Sequence, residues 1–300
     1  MKNSLKFEMC RALKPWFLYR PIQLIKRIIY SRQSSLPQSM SMRTSWGGLL
    51  TANPTRTIGN SILTTGLYEL SVSEALFRLI RPGNFIVDAG ANVGYMTLLA
   101  AKAASPGGRV LSFEPHPELF KTLEINTRSA ITGSETSLEL NQLALSNKGG
   151  RAELRIPMGF DQNDGISTMR DNYSQYSFSI QVLTTSLDES LGKHCVDLLK
   201  LDVEGYEFEV LQGSRCALEA RRIRQIIFED HQIENSRVVD LLRKYGYTIF
   251  SLGWTLTGPI LGALDSPRCR YDAPSYLATL DPIDAKNKFA ARGFRSLSSR

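Results

Sequence analysis

Phe85-Ile-Val-Asp-Ala-Gly-Ala-Asn-Val-Gly94 is the most informative stretch of this 300-residue chain. It begins with a short apolar run that predicts a strand, which Asp88 closes, and a glycine-rich turn follows through Gly90 and Gly94. The apolar, alanine-rich residues after the turn predict a helix up to Ala104. A strand, a glycine turn and a helix in this order open a nucleotide-binding βαβ unit, because small residues let the backbone approach a ligand closely and the helix start offers free N–H groups.

The acid at the strand end distinguishes this turn from the dinucleotide fingerprint. That fingerprint is Gly-x-Gly-x-x-Gly, whereas this chain has Asp-x-Gly-Ala-Asn-x-Gly from Asp88 to Gly94. A carboxylate at this place suits a ligand with a cation near the turn, such as S-adenosylmethionine (SAM), and it would repel the pyrophosphate of NAD. A tight strand-to-helix turn without any ligand is the alternative that the stretch alone leaves open.

The charge of the chain is unevenly distributed. The formal net charge is +7, but the residues up to Asn60 hold ten basic side chains and one acid, which leaves −2 for the rest. The basic character therefore belongs to the N-terminal part, and we expect no nucleic-acid partner. The four cysteines show no metal-binding spacing, which indicates reduced thiols.

Three regions are predicted along the chain: a basic extension and linker over 1–54, a catalytic domain over 55–281, and a polar tail over 282–300 that frays. Residues 31–45 have a linker composition. Residues 22–30, which follow the stretch 14–20, predict a short basic amphipathic helix. Residues 14–30 either contact a membrane surface or a partner weakly, or the helix packs on the domain or stays mobile. Without a signal peptide or a long apolar run, we expect a cytoplasmic protein, with peripheral membrane contact as a variant.

Alternating strands and helices after residue 85 predict a mostly parallel sheet with helices on both faces. Four of the predicted strands end in ionisable residues, at Asp88, Glu114, Asp202 and the run Glu229-Asp-His231. Ligands bind at the carboxyl ends of such strands, so we expect these four ends to meet. The polar segment from residue 161 to 177 predicts a lid over them.

Each strand end suggests a role. Glu114 follows Gly94 by 20 residues, the place where a carboxylate binds ribose hydroxyls. Lys200 stands inside an apolar strand and needs a partner, either as an ion pair between strands or in a functional pocket. Asp202 is a candidate contact for the cofactor or the substrate hydroxyl, and Glu204 a candidate cap of the next helix.

His231 is the candidate base. Removing a proton from a hydroxyl during methyl transfer needs a group whose pKa lies near the working pH, which a histidine provides. An ordinary loop histidine is the alternative.

Together these residues resemble the FkbM-type methyltransferase family. The most specific piece is Lys-x-Asp-x-Glu-Gly-x-Glu, from Lys200 to Glu207. The matching pieces span 87–95, 110–116, 142–146, 165–168, 184–188, 197–213 and 227–231.

The resemblance implies a Rossmann-like class I methyltransferase with a mostly parallel seven-stranded sheet and SAM as cofactor. It implies O-methylation of a hydroxyl on a sugar, glycan or natural product, a small-molecule or glycan acceptor. The implied cofactor residues are Asp88, Gly90, Asn92 and Gly94 at the methionine end, Glu114 at the ribose, and Leu143 and Ala144 beside the adenine. The implied acceptor-facing residues are Asp202, Glu204 and His231.

The expected reaction is an in-line displacement in which either His231 or Asp202 takes the hydroxyl proton. We expect it to need no metal; Mg²⁺ held by Asp202, Glu204 and Glu229 is the alternative. Two other functions stay open: an NAD-dependent oxidoreductase, and a non-catalytic relative that binds a membrane or partner through its basic arm. The sequence indicates neither the acceptor nor the oligomeric state.

Overall fold

The computed structural model describes residues 15, 19–20, 36–131, 135–157, 167–169, 176–231, 233–264 and 274–297. Within these residues the strands are, in chain order, β1 (Met40–Arg43), β2 (Leu49–Ala52), β3 (Phe85–Ala89), β4 (Arg109–Phe113), β5 (Ser137–Asn141), β6 (Ala144–Ser146), β7 (Gly150–Pro157), β8 (Tyr176–Ser186), β9 (Leu198–Leu201), β10 (Gln225–Glu229), β11 (Thr248–Thr255), β12 (Gly258–Gly262) and β13 (Ser275–Thr279). The helices are α1 (Thr57–Thr65), α2 (Leu70–Leu79), α3 (Tyr95–Ala104), α4 (Pro117–Ile131), α5 (Leu187–Leu191), α6 (Glu207–Gln212), α7 (Arg215–Glu219), α8 (Arg237–Lys244) and α9 (Pro282–Phe289).

A central sheet organises the fold, with its strands in the order β12-β11-β13-β10-β9-β3-β4-β5. The five strands from β10 to β5 run parallel to one another, whereas β13, β11 and β12 join through antiparallel pairs. The predicted α/β class with a large, mostly parallel sheet is confirmed. The described part of this sheet has eight strands instead of seven, because the chain after β11 turns back as β12.

Both faces of the sheet are covered by apolar residues. Along β3, Ile86 joins a core that includes Leu99 of α3, and Val87 joins a second core that includes Leu211 of α6. Strands that are buried on both faces have continuous apolar sequences, and the apolar run of β3 therefore predicts this strand. The strand order reverses between β3 and β9, so a crevice opens at their carboxyl ends.

The residues before α1 take part in the core. β1 and β2 form an antiparallel hairpin, and the buried Trp46 between them donates its Nε1–H to the Tyr95 hydroxyl at 3.0 Å. The predicted linker over 31–45 is therefore wrong from residue 40 onward. The helix expected over 22–30 lies outside the described residues, as does the stretch 14–20 before it apart from 15, 19 and 20. In the described part of the chain, the helices are too short or too polar to cross a membrane.

The C-terminal segment is also held in place, which corrects the prediction of a fraying tail for the residues up to 297. Arg78 and Glu74 of α2 form a fully buried ion pair at 2.7 Å. Arg78 donates to the carbonyls of Lys288 and Gly293, and Glu74 accepts from the backbone N–H of Ser296. The division of the chain at residues 54 and 281 stays a prediction.

Glu74→Ala should lower the free energy of unfolding by about 3–5 kcal/mol, because it leaves the Arg78 guanidinium buried without its carboxylate. The matched control is Glu219→Ala, which breaks another i,i+4 pair with side chains 73% and 50% exposed and should cost no more than about 1 kcal/mol. Urea denaturation of both variants measures the difference. Equal losses of stability in the two variants would contradict the role of the buried Glu74–Arg78 pair in holding the C-terminal segment.

Candidate active site

An open cleft lies at the carboxyl ends of β3, β4 and β9. The lining residues are Ile58, Tyr68, Gly90, Ala91, Asn92, Tyr95, Met96, Phe113, Glu114, Pro115, Leu119, Leu143, Ala144, Leu145, Leu154, Ser167, Met169, Lys200, Asp202, Val203 and Glu204. Of the expected site residues, Asp88, Gly94 and His231 are not among this lining.

The glycine turn forms one wall of the cleft. Gly90 has φ +77°, and a Cβ atom there would lie 1.8 Å from the carbonyl oxygen of Asp202. Asn92 also adopts a left-handed conformation, with φ +51°. A side chain at position 90 is therefore excluded by both the backbone conformation and the neighbouring strand end. Gly94, with φ +94°, packs against Leu123 behind the wall.

Glu114 is buried at the end of β4 and is held by the same turn. One carboxylate oxygen accepts the backbone N–H of Asn92 and the other that of His116, each at 2.8 Å. Burial raises the pKa of Glu114 to about 7. Each oxygen keeps a further acceptor site, so the carboxylate can still bind hydroxyl groups. Leu143 and Ala144 give the same cleft an apolar border.

Lys200 joins the two sides of the crevice. Its Nζ lies 2.8 Å from the carbonyl oxygen of Gly90, 3.1 Å from Asp202 Oδ2 and 3.5 Å from Asp88 Oδ1. Asp88 is fully buried and also accepts the Thr97 hydroxyl at 2.6 Å. Lys200 therefore forms an ion pair between β3 and β9. Its hydrogen bond to the Gly90 carbonyl also holds the glycine turn in place.

Carboxylates gather on the opposite side of the cleft. Oxygens of Glu69, Asp202 and Glu229 lie within 4.8 Å of one another. Burial, followed by repulsion from Asp202, raises the pKa of Glu69 to about 8 and that of Glu229 to about 7. Burial and the same repulsion raise the pKa of Glu204 to about 9. The alternative of a Mg²⁺ site named Asp202, Glu204 and Glu229, whereas the structure groups Glu69 with Asp202 and Glu229.

The capping residue of α6 differs from the one expected. Glu207, and not Glu204, accepts the backbone N–H groups of Val203 and Gly205 at the start of α6. Glu204 instead occupies a left-handed position with φ +52° and lines the cleft.

His231 lies beside the carboxylates rather than in the lining of the cleft. Its Nε2 is 2.6 Å from Glu229 Oε1, and its side chain is 73% exposed. The histidine therefore reaches the acidic side of the site through Glu229.

The lid predicted over 161–177 falls mainly outside the described residues. Its described part touches the cleft, because Ser167 and Met169 line it and the Thr168 hydroxyl donates to the carbonyl oxygen of Glu204 at 2.7 Å. The lid function stays a prediction.

Tyr68 and Glu69 form a corner of the site that is not among the residues expected from the sequence. The apolar spacing from residue 68 to 80 predicts a helix that starts at Tyr68, whereas the helix begins at Leu70 and Glu69 has φ +44°. The Tyr95 hydroxyl hydrogen-bonds the backbone of Tyr68, and Tyr68 lines the cleft. An acid directly before an amphipathic helix was the available signal, but no propensity predicts a left-handed glutamate.

The raised pKa values predict how stability depends on pH. Because the folded protein holds these protons more tightly than the unfolded chain, stability should fall as the pH rises from about 6 to 9. Glu204→Gln should therefore raise the melting temperature at pH 9, by roughly 2–4 °C for each kcal/mol of relieved repulsion, with little gain at pH 5. Thermal melts of Glu204→Gln and the wild-type protein from pH 5 to pH 9 test this prediction. An equal gain in melting temperature at pH 5 and pH 9 would contradict repulsion between ionised carboxylates as its cause.

A comparison with known families identifies the protein. The family model described as "Methyltransferase FkbM domain" matches residues 88–249, more than half of the chain, including the glycine turn and the ends of β3, β4, β9 and β10. The chain belongs to this family. As an FkbM-family protein it is a SAM-dependent methyltransferase, and its sheet has the Rossmann-like α/β arrangement. This confirms the enzyme class expected from the sequence and decides against the oxidoreductase alternative.

Several known proteins are similar to this chain. The 31-O-demethyl-FK506 methyltransferase FkbM of Streptomyces tacrolimicus is 30% identical over 202 residues, which cover 57% of this chain and 75% of that protein. The 2-O-methyltransferase NoeI of Sinorhizobium fredii is 25% identical, with 59% and 79% covered. A crystal structure of an FkbM methyltransferase from Methylobacillus flagellatus is 18% identical, covers 73% of this chain and 52% of that one, and has a TM-score of 0.42.

Proposed function

We propose that this FkbM methyltransferase transfers the SAM methyl group to a hydroxyl oxygen of a sugar, glycan or natural product. The observation that supports it most is the division of the cleft, with Glu114 and the glycine turn on one side and Asp202 and Glu204 on the other. Two relatives carry O-methyl transfer in their names, which supports the oxygen as the target.

The shape of the cleft fits SAM. Gly90, Asn92 and Gly94 form a turn close enough for backbone contact with the methionine end, and Asp88 fixes that turn through Lys200. Glu114 would accept hydrogen bonds from the ribose hydroxyls. The adenine would lie against Leu143 and Ala144, which line the same cleft.

SAM, when bound, supplies an electrophilic methyl group on a sulfonium. The chain's own residues hold the acceptor hydroxyl in line with that methyl group and keep water out. The methyl group would leave its sulfur for the acceptor oxygen, with S-adenosylhomocysteine as the leaving group, and the hydroxyl proton would pass to Asp202 or, by way of Glu229, to His231. Because the Lys200 ammonium lies 3.1 Å from Asp202 and already supplies a cation there, we propose that the reaction needs no metal, so EDTA should leave the rate unchanged.

Glu114→Gln should weaken SAM binding at pH 8 by about 1.5–3 kcal/mol, the scale of a hydrogen bond to a charged group. In the wild-type protein, binding should also weaken as the pH falls below about 7, where Glu114 takes up a proton. Calorimetric titrations from pH 6 to 8.5 measure both effects. A variant that keeps the wild-type pH dependence would sink the assignment of this carboxylate.

The reaction is tested by incubating the full-length protein with methyl-labelled SAM and a panel of sugars, glycans and hydroxylated natural products. We expect the label in a methyl ether, which survives mild alkali. Label that alkali releases as methanol would indicate a methyl ester, and label on nitrogen an amine acceptor; either would contradict the proposal.

A further inference from the structure

Ser167 brings an unused hydroxyl to the cleft. It lines the cleft together with Met169, and its Oγ is shielded from solvent without a hydrogen-bond partner among the residues that the structure describes. A hydroxyl that is withheld from both water and protein partners is disfavoured, and such groups call for an explanation. Because the hydroxyl hydrogen rotates to suit a partner, Ser167 can donate to an oxygen of a ligand in the cleft.

The backbone around Ser167 is fixed by two contacts of the next residue. Thr168 exchanges two backbone hydrogen bonds with Arg155 of β7, at 2.9 Å and 3.1 Å, and its hydroxyl donates to the Glu204 carbonyl at 2.7 Å. Successive side chains of an extended segment alternate in direction, so Ser167 and Met169 lie on the same side, toward the cleft that both line. The position of Ser167 therefore depends on described contacts on either side of the cleft.

These contacts place Ser167 away from the expected adenine position. The small sheet has the order β6-β8-β7, so β6, which holds Ala144, and β7, which pairs with the segment of Ser167, are at opposite edges. The loop that this segment contacts through Glu204 begins at Asp202, whose carbonyl oxygen lies against Gly90. Ser167 is therefore beside the strand end that borders the glycine turn, where the methionine end of SAM is proposed to lie.

The methionine carboxylate of SAM needs hydrogen-bond donors that the glycine turn does not supply. Every backbone N–H from Gly90 to Gly94 already donates within the protein, at 2.7–3.0 Å. Among the described residues that line the cleft, Lys200 is the only cation, and its ammonium already contacts two carboxylates and a carbonyl oxygen. The acids in the lining repel a second anion. A donor from another part of the cleft is therefore required.

The Ser167 hydroxyl and the methionine carboxylate complement each other. Hydrogen bonds to an ionised group are shorter and stronger than neutral ones, so one such bond would satisfy the unpartnered hydroxyl and hold the anion. Resting on the SAM site proposed above, we propose that Ser167 binds the methionine carboxylate of SAM through its hydroxyl, so that the site selects ligands that carry this carboxylate.

Two ligands that differ by the carboxylate alone test this contact. S-adenosylhomocysteine and decarboxylated S-adenosylhomocysteine are titrated by calorimetry into the full-length protein near neutral pH. The wild-type protein should bind S-adenosylhomocysteine at least about tenfold more tightly, because only this ligand accepts the charged hydrogen bond. Ser167→Ala should reduce that ratio to about threefold or less and leave the affinity for the decarboxylated ligand unchanged.

Three further variants separate the hydroxyl from the fold. Ser167→Thr keeps a hydroxyl and should keep the wild-type ratio, whereas Ser167→Cys, with a weak donor of similar shape, should lower it as Ser167→Ala does. Ser137→Ala, which removes an exposed hydroxyl at the start of β5, is the matched control and should change neither affinity.

Several results would overturn the role of Ser167: equal binding of the two ligands by the wild-type protein, a ratio that Ser167→Ala and Ser167→Cys leave unchanged, or equal weakening of both ligands. A wild-type protein that binds neither ligand would contradict the proposed SAM site and this contact with it. The label experiment is separate: a label found on nitrogen, with the ratio altered as expected, would overturn the O-methyl transfer and not the role of Ser167.

Discussion

Lys200→Met should lower the free energy of unfolding by about 3–5 kcal/mol and weaken SAM binding. The substitution leaves the fully buried Asp88 and its neighbour Asp202 without the ammonium that lies 3.5 Å and 3.1 Å from them, and breaking a buried ion pair costs that much. It also frees the Gly90 carbonyl, which accepts from Lys200 at 2.8 Å. Urea denaturation and calorimetric titration with SAM measure the two effects.

A double substitution separates charge from packing in this prediction. Asp88→Asn in the Lys200→Met background removes one of the unpaired charges, so it should recover part of the lost stability. Lys148→Met, at an exposed position, is the control and should change stability by less than about 0.5 kcal/mol. If Lys200→Met matched this control, the ion pair would have no role in holding the turn.

Gly90→Ala should lower the free energy of unfolding nearly as much as Lys200→Met, and it should abolish measurable SAM binding. The added Cβ would lie 1.8 Å from the Asp202 carbonyl oxygen, a backbone atom of the neighbouring strand end that cannot turn aside. The left-handed conformation costs roughly 1–2 kcal/mol for an alanine, and overpacking adds about 1–3 kcal/mol. The glycine turn must then move away from β9, which changes the wall on which SAM is expected to lie.

Gly83→Ala is the matched control for this prediction. Gly83 has nearly the same φ, +80°, but a Cβ there would meet no atom within 4 Å. It should lose only the conformational cost and keep the wild-type affinity for SAM. Similar effects of the two substitutions in calorimetry would show that the close approach of β3 and β9 does not matter for the cofactor.

The sequence was most informative where local pattern and tertiary structure agree. β3 and β4 are short apolar runs bounded by turn residues, and their observed bounds follow those runs closely. Asp88, Glu114 and Asp202 could be placed at one edge because the carboxyl ends of parallel strands face the same side of the sheet.

The features that the sequence did not reveal depend on contacts between distant residues. The role of Asp88 as a buried partner of Lys200 follows from the register that pairs the two residues across β3 and β9. The order of the C-terminal segment depends on the buried pair of Glu74 with Arg78, which looks in sequence like any exposed helical i,i+4 pair. Glu69 was missed because its left-handed backbone has no sequence signature.

A crystal structure of the protein with S-adenosylhomocysteine would examine the proposed site most directly. It should show the ribose hydroxyls about 2.7–3.2 Å from the Glu114 carboxylate, the amino-acid end against the turn from Gly90 to Gly94, and the sulfur facing Asp202. A ligand bound elsewhere, or one with its ribose away from Glu114 and its sulfur turned from the carboxylates, would contradict the assignment of this cleft.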